Sequence, residues 1–147
     1  MADDPLDFGV DLDDVCKRVE ALGYFLSVSD ILAAGEALDD TVPASPPAAF
    51  VAVSDERADP NKLIGGHAQR VNVSLAVLFV ESSSRFDRAA KHQLERTRKA
   101  LTRQLVAWKP RNAETALEYQ RFRVVRIEDG LVWGEVTFGT TYRLSLT

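Results

Sequence analysis

The residues with the clearest chemical potential in this sequence are cations that recur at helical spacing. Six basic side chains lie three or four positions apart in one stretch: Arg85, Arg88, His92, Arg96, Lys99 and Arg103. On a helix with a rise of 1.5 Å per residue, this row spans roughly 27 Å along one face. A cationic face of that length can bind phosphates or carboxylates, and Glu95 is the one acid that interrupts it.

Acidic side chains are concentrated at the other end of the chain. Residues 1–40 contain eleven acids and two bases, whereas residues 85–111 contain nine bases and two acids. The formal net charge of the 147-residue chain is only −4, so the total hides this polarity. Such polarity is typical of a surface that meets an oppositely charged one, either nucleic acid or a second copy of the chain.

Residue types that carry catalysis or bind metals are scarce. Cys16, the only cysteine, falls on the apolar face of a predicted helix, where a buried hydrophobic role is favoured over a reactive thiol. His67 and His92 are far apart and lack cysteine partners. The Gly65-Gly66 pair is not followed by the Lys-Ser/Thr of a phosphate-binding loop. We therefore expect no catalytic, cofactor-binding or metal site and no enzymatic activity.

The composition indicates a folded domain without a membrane segment. Apolar residues make up 46% of the chain and charged residues 27%, which are ordinary globular values. No apolar run approaches the roughly 20 residues of a membrane span. The acidic N-terminus differs from a secretory signal, which predicts synthesis in a reducing cytoplasm and no membrane partner.

Apolar periodicity predicts two helices. The first is expected over residues 11–22, with Asp11 as its N-cap and Gly23 as its stop. The second is expected over residues 86–108, where a stripe of apolar residues lies opposite the basic row. Pro110 ends it.

Strand signals occupy most of the remaining chain. Strands are predicted over residues 49–54, 70–80, 117–127 and 131–146, the last two joined by an Asp-Gly turn. For residues 24–38 two assignments are compatible with the sequence: a short strand at 25–28 or a short helix after Asp30. Residues 40–47 are predicted to form a proline-rich loop. The predicted fold class is α+β, with a mixed, mostly antiparallel sheet of four to five strands and two main helices on one face.

The domain organisation follows from the same pattern. Residues 1–10 are expected to form a flexible acidic N-terminus, and residues 11–147 a single domain. Residues 55–69 read as a long loop with Pro60, Gly65 and Gly66, which we expect to be mobile.

Particular residues resemble the tail terminator proteins of long-tailed bacteriophages, and most closely those of Mu-like prophages. The resemblance rests on the stretch PAAFVAV at 47–53, on ERADPN at 56–61 and on QRVNV at 69–73. A helix that ends in LVAWKP at 105–110 and a last strand that contains Trp133 extend it over residues 11–146. One departure is Ala107, where the family pattern leads us to expect glycine.

The resemblance implies a structural virion protein, made in the bacterial cytoplasm and located at the tail-neck junction. It would form a hexameric ring that caps the tail tube, stops its polymerisation and contacts the head-neck connector. The expected partners are thus other copies of the chain, the tail tube protein and the connector. A sheath contact is left open, and DNA passes through the ring without specific binding.

Two groups of residues are predicted to lie at subunit or partner interfaces. The first group is the basic row, which we expect to face a neighbouring copy or the connector rather than the lumen. The second group is the glycine-containing loop. The candidate interface residues are Arg85, Arg88, Arg96, Lys99, Arg103, Asp59, Asn61, Lys62, Gly65, Gly66 and His67.

Rival functions are also compatible with the sequence. One is another neck, head-completion or tube-like ring protein, because these are also small ring formers. A second is a non-specific nucleic-acid-binding module that uses the basic helix at 85–103, although the acidic overall balance counts against it. A small enzyme is the least favoured alternative, because no catalytic constellation is present.

Overall fold

A computed structural model describes residues 4–31, 45–82, 88–128 and 130–146, with the backbone alone at 88–90. The described elements are two helices and five strands, and they follow one another in this order along the chain: α1 (Leu12–Glu20), β1 (Ser27–Asp30), β2 (Ala48–Ala58), β3 (His67–Ser82), α2 (Arg88–Leu105), β4 (Glu118–Glu128) and β5 (Leu131–Leu146).

The five described strands form one mixed sheet in the order β1-β2-β3-β5-β4. β1 runs parallel to β2, and the other neighbours are antiparallel. The longest pairing joins β3 to β5, from His67 opposite Leu146 to Ser82 opposite Leu131. The predicted α+β class with a mixed, mostly antiparallel sheet is therefore confirmed.

Both described helices pack on the same face of the sheet. α1 contributes Val15 and Val19 to the core, and α2 contributes a row of buried residues that includes Leu101 and Leu105. The odd-numbered residues of β3 from Val71 to Phe79 face these helices, because side chains alternate along a strand. The apolar residues that recur at helical spacing in α1 and α2 thus pack against those that alternate along β3, and together they form one apolar layer.

The ends of α1 follow the expected capping chemistry. The Asp11 carboxylate accepts hydrogen bonds from the backbone N–H groups of Asp13, at 3.0 Å, and Asp14, at 3.4 Å. This confirms Asp11 as the N-cap, a position where an acceptor satisfies free N–H groups. Gly23 has a φ of +70° and donates its N–H to the Glu20 carbonyl, which stops the helix.

A second, smaller cluster is buried on the opposite face of the sheet. Its members include Phe50, Leu78 and Trp133, and the rings of Phe50 and Trp133 stack with centroids 6.0 Å apart. Glu135 lies on the same face and is 4% exposed. Its carboxylate accepts a 2.9 Å hydrogen bond from Arg123, which compensates for burying the charge.

The strands are longer than predicted at the β2–β3 connection. Pairing continues from Asp55 opposite Ser74 to Ala58 opposite Val71, after a register shift that follows Val53. The predicted loop at 55–69 is therefore reduced to residues 59–66, because backbone pairing extends through polar residues that lack an apolar alternation.

Other boundaries shift by a few residues, and one open assignment is resolved in part. β1 confirms a strand between α1 and β2, displaced from the predicted 25–28. The alternative helix after Asp30 lies outside the described residues, as do most of the proline-rich loop and the aspartate of the Asp-Gly turn. In the part of the chain that the structure describes, no helix combines the length and apolarity required to cross a bilayer.

Candidate subunit and partner interface

The basic row lies on the outer side of α2. Its apolar side buries Leu94, Thr97, Leu101 and Leu105, which fixes the orientation of the helix. His92, Arg96, Lys99 and Arg103 are exposed. Of the two remaining members, Arg88 is the first residue of α2 and its side chain is outside the described part, and Arg85 lies outside the described residues altogether.

The exposed cations of α2 lack acidic partners among the described residues, whereas most arginines of the sheet have them. Arg96, Lys99 and Arg103 make no ion pair with any described side chain. In the sheet, the buried carboxylate of Glu135 accepts a hydrogen bond from Arg123 and lies near Arg121. Glu114 forms ion pairs with Arg70 and Arg143. Among the described residues, the charges of the sheet are therefore largely compensated, whereas the exposed charges of α2 are not.

Part of the N-terminal acidity is also compensated within the chain. The Arg111 guanidinium donates from Nε to Asp11 at 2.7 Å and from Nη1 to Asp7 at 3.1 Å. Hydrogen bonds from Arg111 lower the pKa of both carboxyls, and Asn112 adds to the effect at Asp7. The same contacts raise the pKa of Arg111. Asp7 belongs to the segment predicted to be a flexible N-terminus. It is thus bonded to the segment that follows α2.

Other acids near α1 have no cationic partner in the described structure. Asp13, Glu20 and Asp30 are exposed, and none of them forms an ion pair with a described residue. Among the described residues, one acidic surface near α1 and β1 and one basic surface on α2 are therefore unpaired.

The second predicted group lies in the loop between β2 and β3. Asp59, Asn61, Lys62, Gly65 and Gly66 are all exposed, and His67 is half-buried at the start of β3, where its ring contacts the Gln69 side chain. Among the described residues, no hydrogen bond or ion pair joins this loop to α2. The two predicted groups thus lie on different elements, one on α2 and the other in the β2–β3 loop.

Asn61 organises the loop through both ends of its side chain. Its Oδ1 accepts from the backbone N–H groups of Leu63, at 3.3 Å, and Ala68, at 3.1 Å, and its Nδ2 donates to the Gly66 carbonyl at 3.1 Å. Gly65 has a φ of +79°, a conformation that favours glycine. The loop therefore closes around a defined set of bonds.

Sequence reasoning missed the apolar tip of this loop. Leu63 is 55% exposed, and Ile64 is fully exposed. Every residue from Ser54 to Gly66 is exposed, so these two apolar side chains project from a polar arm. An adjacent Leu-Ile pair inside an otherwise polar loop was the signal available in the sequence.

A polar cluster around the buried Glu81 and Thr97 ties the α1–β1 connection to α2. The Glu81 carboxylate is 5% exposed and accepts a 2.8 Å hydrogen bond from the Tyr24 hydroxyl and another from the Thr97 hydroxyl. Gln93 donates to the same tyrosine oxygen at 2.6 Å. Burial, together with the hydrogen bond to Glu81, raises the pKa of Tyr24. These bonds hold the connection against the helix that carries the basic row.

The described residues contain no group that resembles a metal or nucleophile site. No cluster of three or more His, Cys, Asp or Glu side chains within them could hold a metal ion. Cys16 is buried in the core, and burial raises the pKa of its thiol to about 12. A thiol in that state is a poor nucleophile at neutral pH.

Comparison with known proteins identifies the family. The sequence model of the phage tail terminator protein family matches residues 1–146. The chain belongs to this family. Its predicted resemblance to tail terminators is therefore confirmed, and the chain is a structural protein of the tail, located in the virion with tail components as partners.

A solved structure shows the same fold. This chain resembles a chain from the virion of a native gene transfer agent particle, with a TM-score of 0.57 and 14% sequence identity. The likeness covers 92% of this chain and 96% of the other. No curated protein sequence matches the chain.

Proposed function

We propose that this protein forms a hexameric ring that caps the tail tube, stops its polymerisation and joins the tail to the head-neck connector. Membership of the tail terminator family supports the role at the end of the tube. The ring would lie at the tail-neck junction, and DNA would pass through it without specific binding. The protein acts through these contacts rather than through catalysis.

The observation that carries the ring is the separation of unpaired charges on one chain. Arg96, Lys99 and Arg103 on α2 lack described acidic partners, and Asp13 and Glu20 near α1 lack described cationic ones. Two different, complementary surfaces on the same chain allow a head-to-tail contact, and such contacts close into rings when the rotation permits. The candidate residues of α2 would thus face the next copy or the connector.

Tube growth in the presence of the purified chain tests the proposed function. The tail tube protein of the same particle is allowed to polymerise, and tube lengths are measured by electron microscopy. We expect the chain to cap one tube end and to shorten the length distribution as its concentration rises. Tubes of unchanged length, with no added density at their ends, would contradict termination.

A second candidate function is non-specific binding of nucleic acid by α2, and the unpaired row of cations favours it. Phosphate contacts by Arg96, Lys99 and Arg103 would give an affinity for duplex DNA that falls steeply with salt. Titration of the purified chain with duplex DNA at low and high salt distinguishes the two functions. Strong, salt-dependent binding would favour this alternative over a ring contact.

A further inference from the structure

We propose that the Leu63-Ile64 tip of the β2–β3 arm docks into the groove between α2 and β4 of a second copy of this chain. This inference rests on the proposed ring and names one pair of surfaces within it. It gives an occupant to an apolar tip and a groove that are both unpartnered among the residues that the structure describes.

The tip presents apolar surface that the fold itself does not bury. Ile64 is fully exposed and Leu63 is 55% exposed, at the end of an arm in which all residues from Ser54 to Gly66 are exposed. The bonds of the Asn61 side chain close the loop that carries them. A preorganised apolar tip loses less conformational entropy when it binds.

The groove offers a surface of matching character. It has a volume of about 380 Å³ and is lined by Arg98, Lys99, Thr102, Arg103 and Tyr119. The Tyr119 ring is 44% exposed, and Val106, whose N–H donates to the Thr102 carbonyl at 2.9 Å, adds an exposed apolar side chain one turn later. The aliphatic stems of Lys99 and Arg103 present apolar surface below their charged ends.

Charge around the two surfaces is complementary. Asp59 and Glu56 on the arm make no ion pair with a described residue, and Lys99 and Arg103 at the groove make none either. Lys62 is the like charge beside the tip, and its long side chain can reach solvent at the rim. An apolar centre with paired charges at its edge is the usual arrangement of a specific interface.

A second copy fits better than an unrelated partner because both halves of the contact are on the same chain. Within the described structure, no hydrogen bond or ion pair joins the arm to α2, so the two halves are free to pair between copies. Two different surfaces that match each other generate a repeating, head-to-tail assembly.

Disulfide trapping between two single variants tests the pairing. Ile64→Cys chains are mixed in equal amounts with Thr102→Cys chains at high concentration and oxidised, and intermolecular dimers are measured on non-reducing gels. The matched control replaces Thr102→Cys by Leu26→Cys, another surface position, which is 70% exposed. The native Cys16 is buried and does not compete.

We expect the Ile64→Cys and Thr102→Cys pair to form the mixed dimer at least fivefold faster than the control pair. Equal rates would overturn the docking. Native mass measurement of the unmodified chain separates this failure from that of the proposed function. If the chain forms a ring but the two trapping rates are equal, the proposed ring is retained and this pairing of surfaces is wrong.

A second variant tests the same contact without cysteines. Leu63→Ser with Ile64→Ser removes the apolar tip, and the exposure of both side chains means that the fold is retained. We expect self-association to weaken at least tenfold by analytical ultracentrifugation, whereas Leu26→Ser leaves it unchanged. Unaltered association of the tip variant would count against the docking.

Discussion

At the scale of single residues, Ala107 shows how the chain holds a conformation that its sequence does not favour. Its φ is +67°, in the left-handed region, directly after α2. Its N–H donates to the Leu117 carbonyl at 2.9 Å, and the Trp108 N–H donates to the Leu105 carbonyl at 3.2 Å. These bonds outweigh the steric cost that a Cβ atom incurs there. The glycine that the family resemblance led us to expect would avoid that cost.

Replacing this alanine with glycine is therefore expected to stabilise the protein. Ala107→Gly removes the steric cost of the left-handed conformation, about 1–2 kcal/mol. Glycine also gives the unfolded chain more conformational entropy, which offsets part of this gain. We expect the free energy of unfolding to rise by about 0.5–1 kcal/mol. Chemical denaturation measures the change. The matched control is Ala100→Gly within α2, which should lower the free energy of unfolding by about 1 kcal/mol. A loss at both positions would refute the explanation.

The residue scale also shows what a sequence can and cannot reveal. The periodic apolar positions of α1 and α2 and the Asp11 cap were predictable, because each depends on neighbours within a few residues. The pairing of Arg111 with Asp7 and of Glu81 with Tyr24 was not, because each joins residues more than 50 positions apart. The exposed tip was missed because the loop was predicted from its polar residues, its proline and its glycines, and the Leu63-Ile64 pair within it was given no role.

At the scale of elements, β4 and β5 pair with two local irregularities. Gly134 and Gly139 of β5 lie opposite Val124 and Glu118 of β4. The register shifts lie near them, between Tyr119 and Arg121 and between Val124 and Arg126, in the pairing with β4. Gly134 is buried, and a Cβ added there would lie 2.7 Å from the Phe79 ring and 3.1 Å from the Phe122 ring.

Close packing at this point predicts a large effect of one methyl group. Gly134→Ala forces Phe79 or the strand to move, and we expect it to destabilise the fold by about 1–3 kcal/mol. Thermal and urea unfolding measure the loss. Gly66→Ala is the control, because a Cβ there meets only a Leu63 methyl at 3.7 Å and costs little. Equal stability of the two variants would contradict the packing argument.

The N-terminal segment is linked to the rest of the fold by a pH-sensitive contact. Arg111 lowers the folded-state pKa of Asp7 and Asp11, so their contribution to stability is present above the unfolded pKa, near 3.9. It is lost as pH falls through the lower folded-state values. We expect the urea midpoint to fall between pH 4 and pH 2, and to fall less steeply in Arg111→Gln.

Lys17→Gln provides the matched control for this pH dependence, because it removes an equal charge from a lysine without a described ion pair. It should retain the pH slope of the unmodified protein. If Arg111→Gln also retains that slope, the contact with Asp7 and Asp11 does not contribute to folding.

At the scale of the whole molecule, opposite charges on different surfaces favour assembly over a solitary role. The architecture and the location of the core were predictable from periodicity. Which charges are compensated inside the chain was not, because that depends on how the sheet brings Arg70, Glu114 and Arg143 together. Among the described residues, the fold leaves α2 as a basic surface, and the proposed ring would use this surface for its electrostatic contact.

Charge reversal on α2 is expected to disrupt that contact. Lys99→Glu with Arg103→Glu should reduce self-association at least tenfold, because two attractions become repulsions. Lys109→Glu with Arg126→Glu changes the net charge equally at exposed sites outside α1 and α2, and should have a much smaller effect. Analytical ultracentrifugation at low and moderate salt measures both. Similar behaviour of the two variants would indicate a general charge effect instead.

Native mass measurement of the purified chain tests the central claim most directly. The proposed function predicts a closed assembly of six chains, formed at high protein concentration and lost on charge reversal of α2. Class averages of negatively stained particles should show a ring with sixfold symmetry. A closed ring of seven or twelve copies would contradict the account of this protein as the hexameric end of a tail tube.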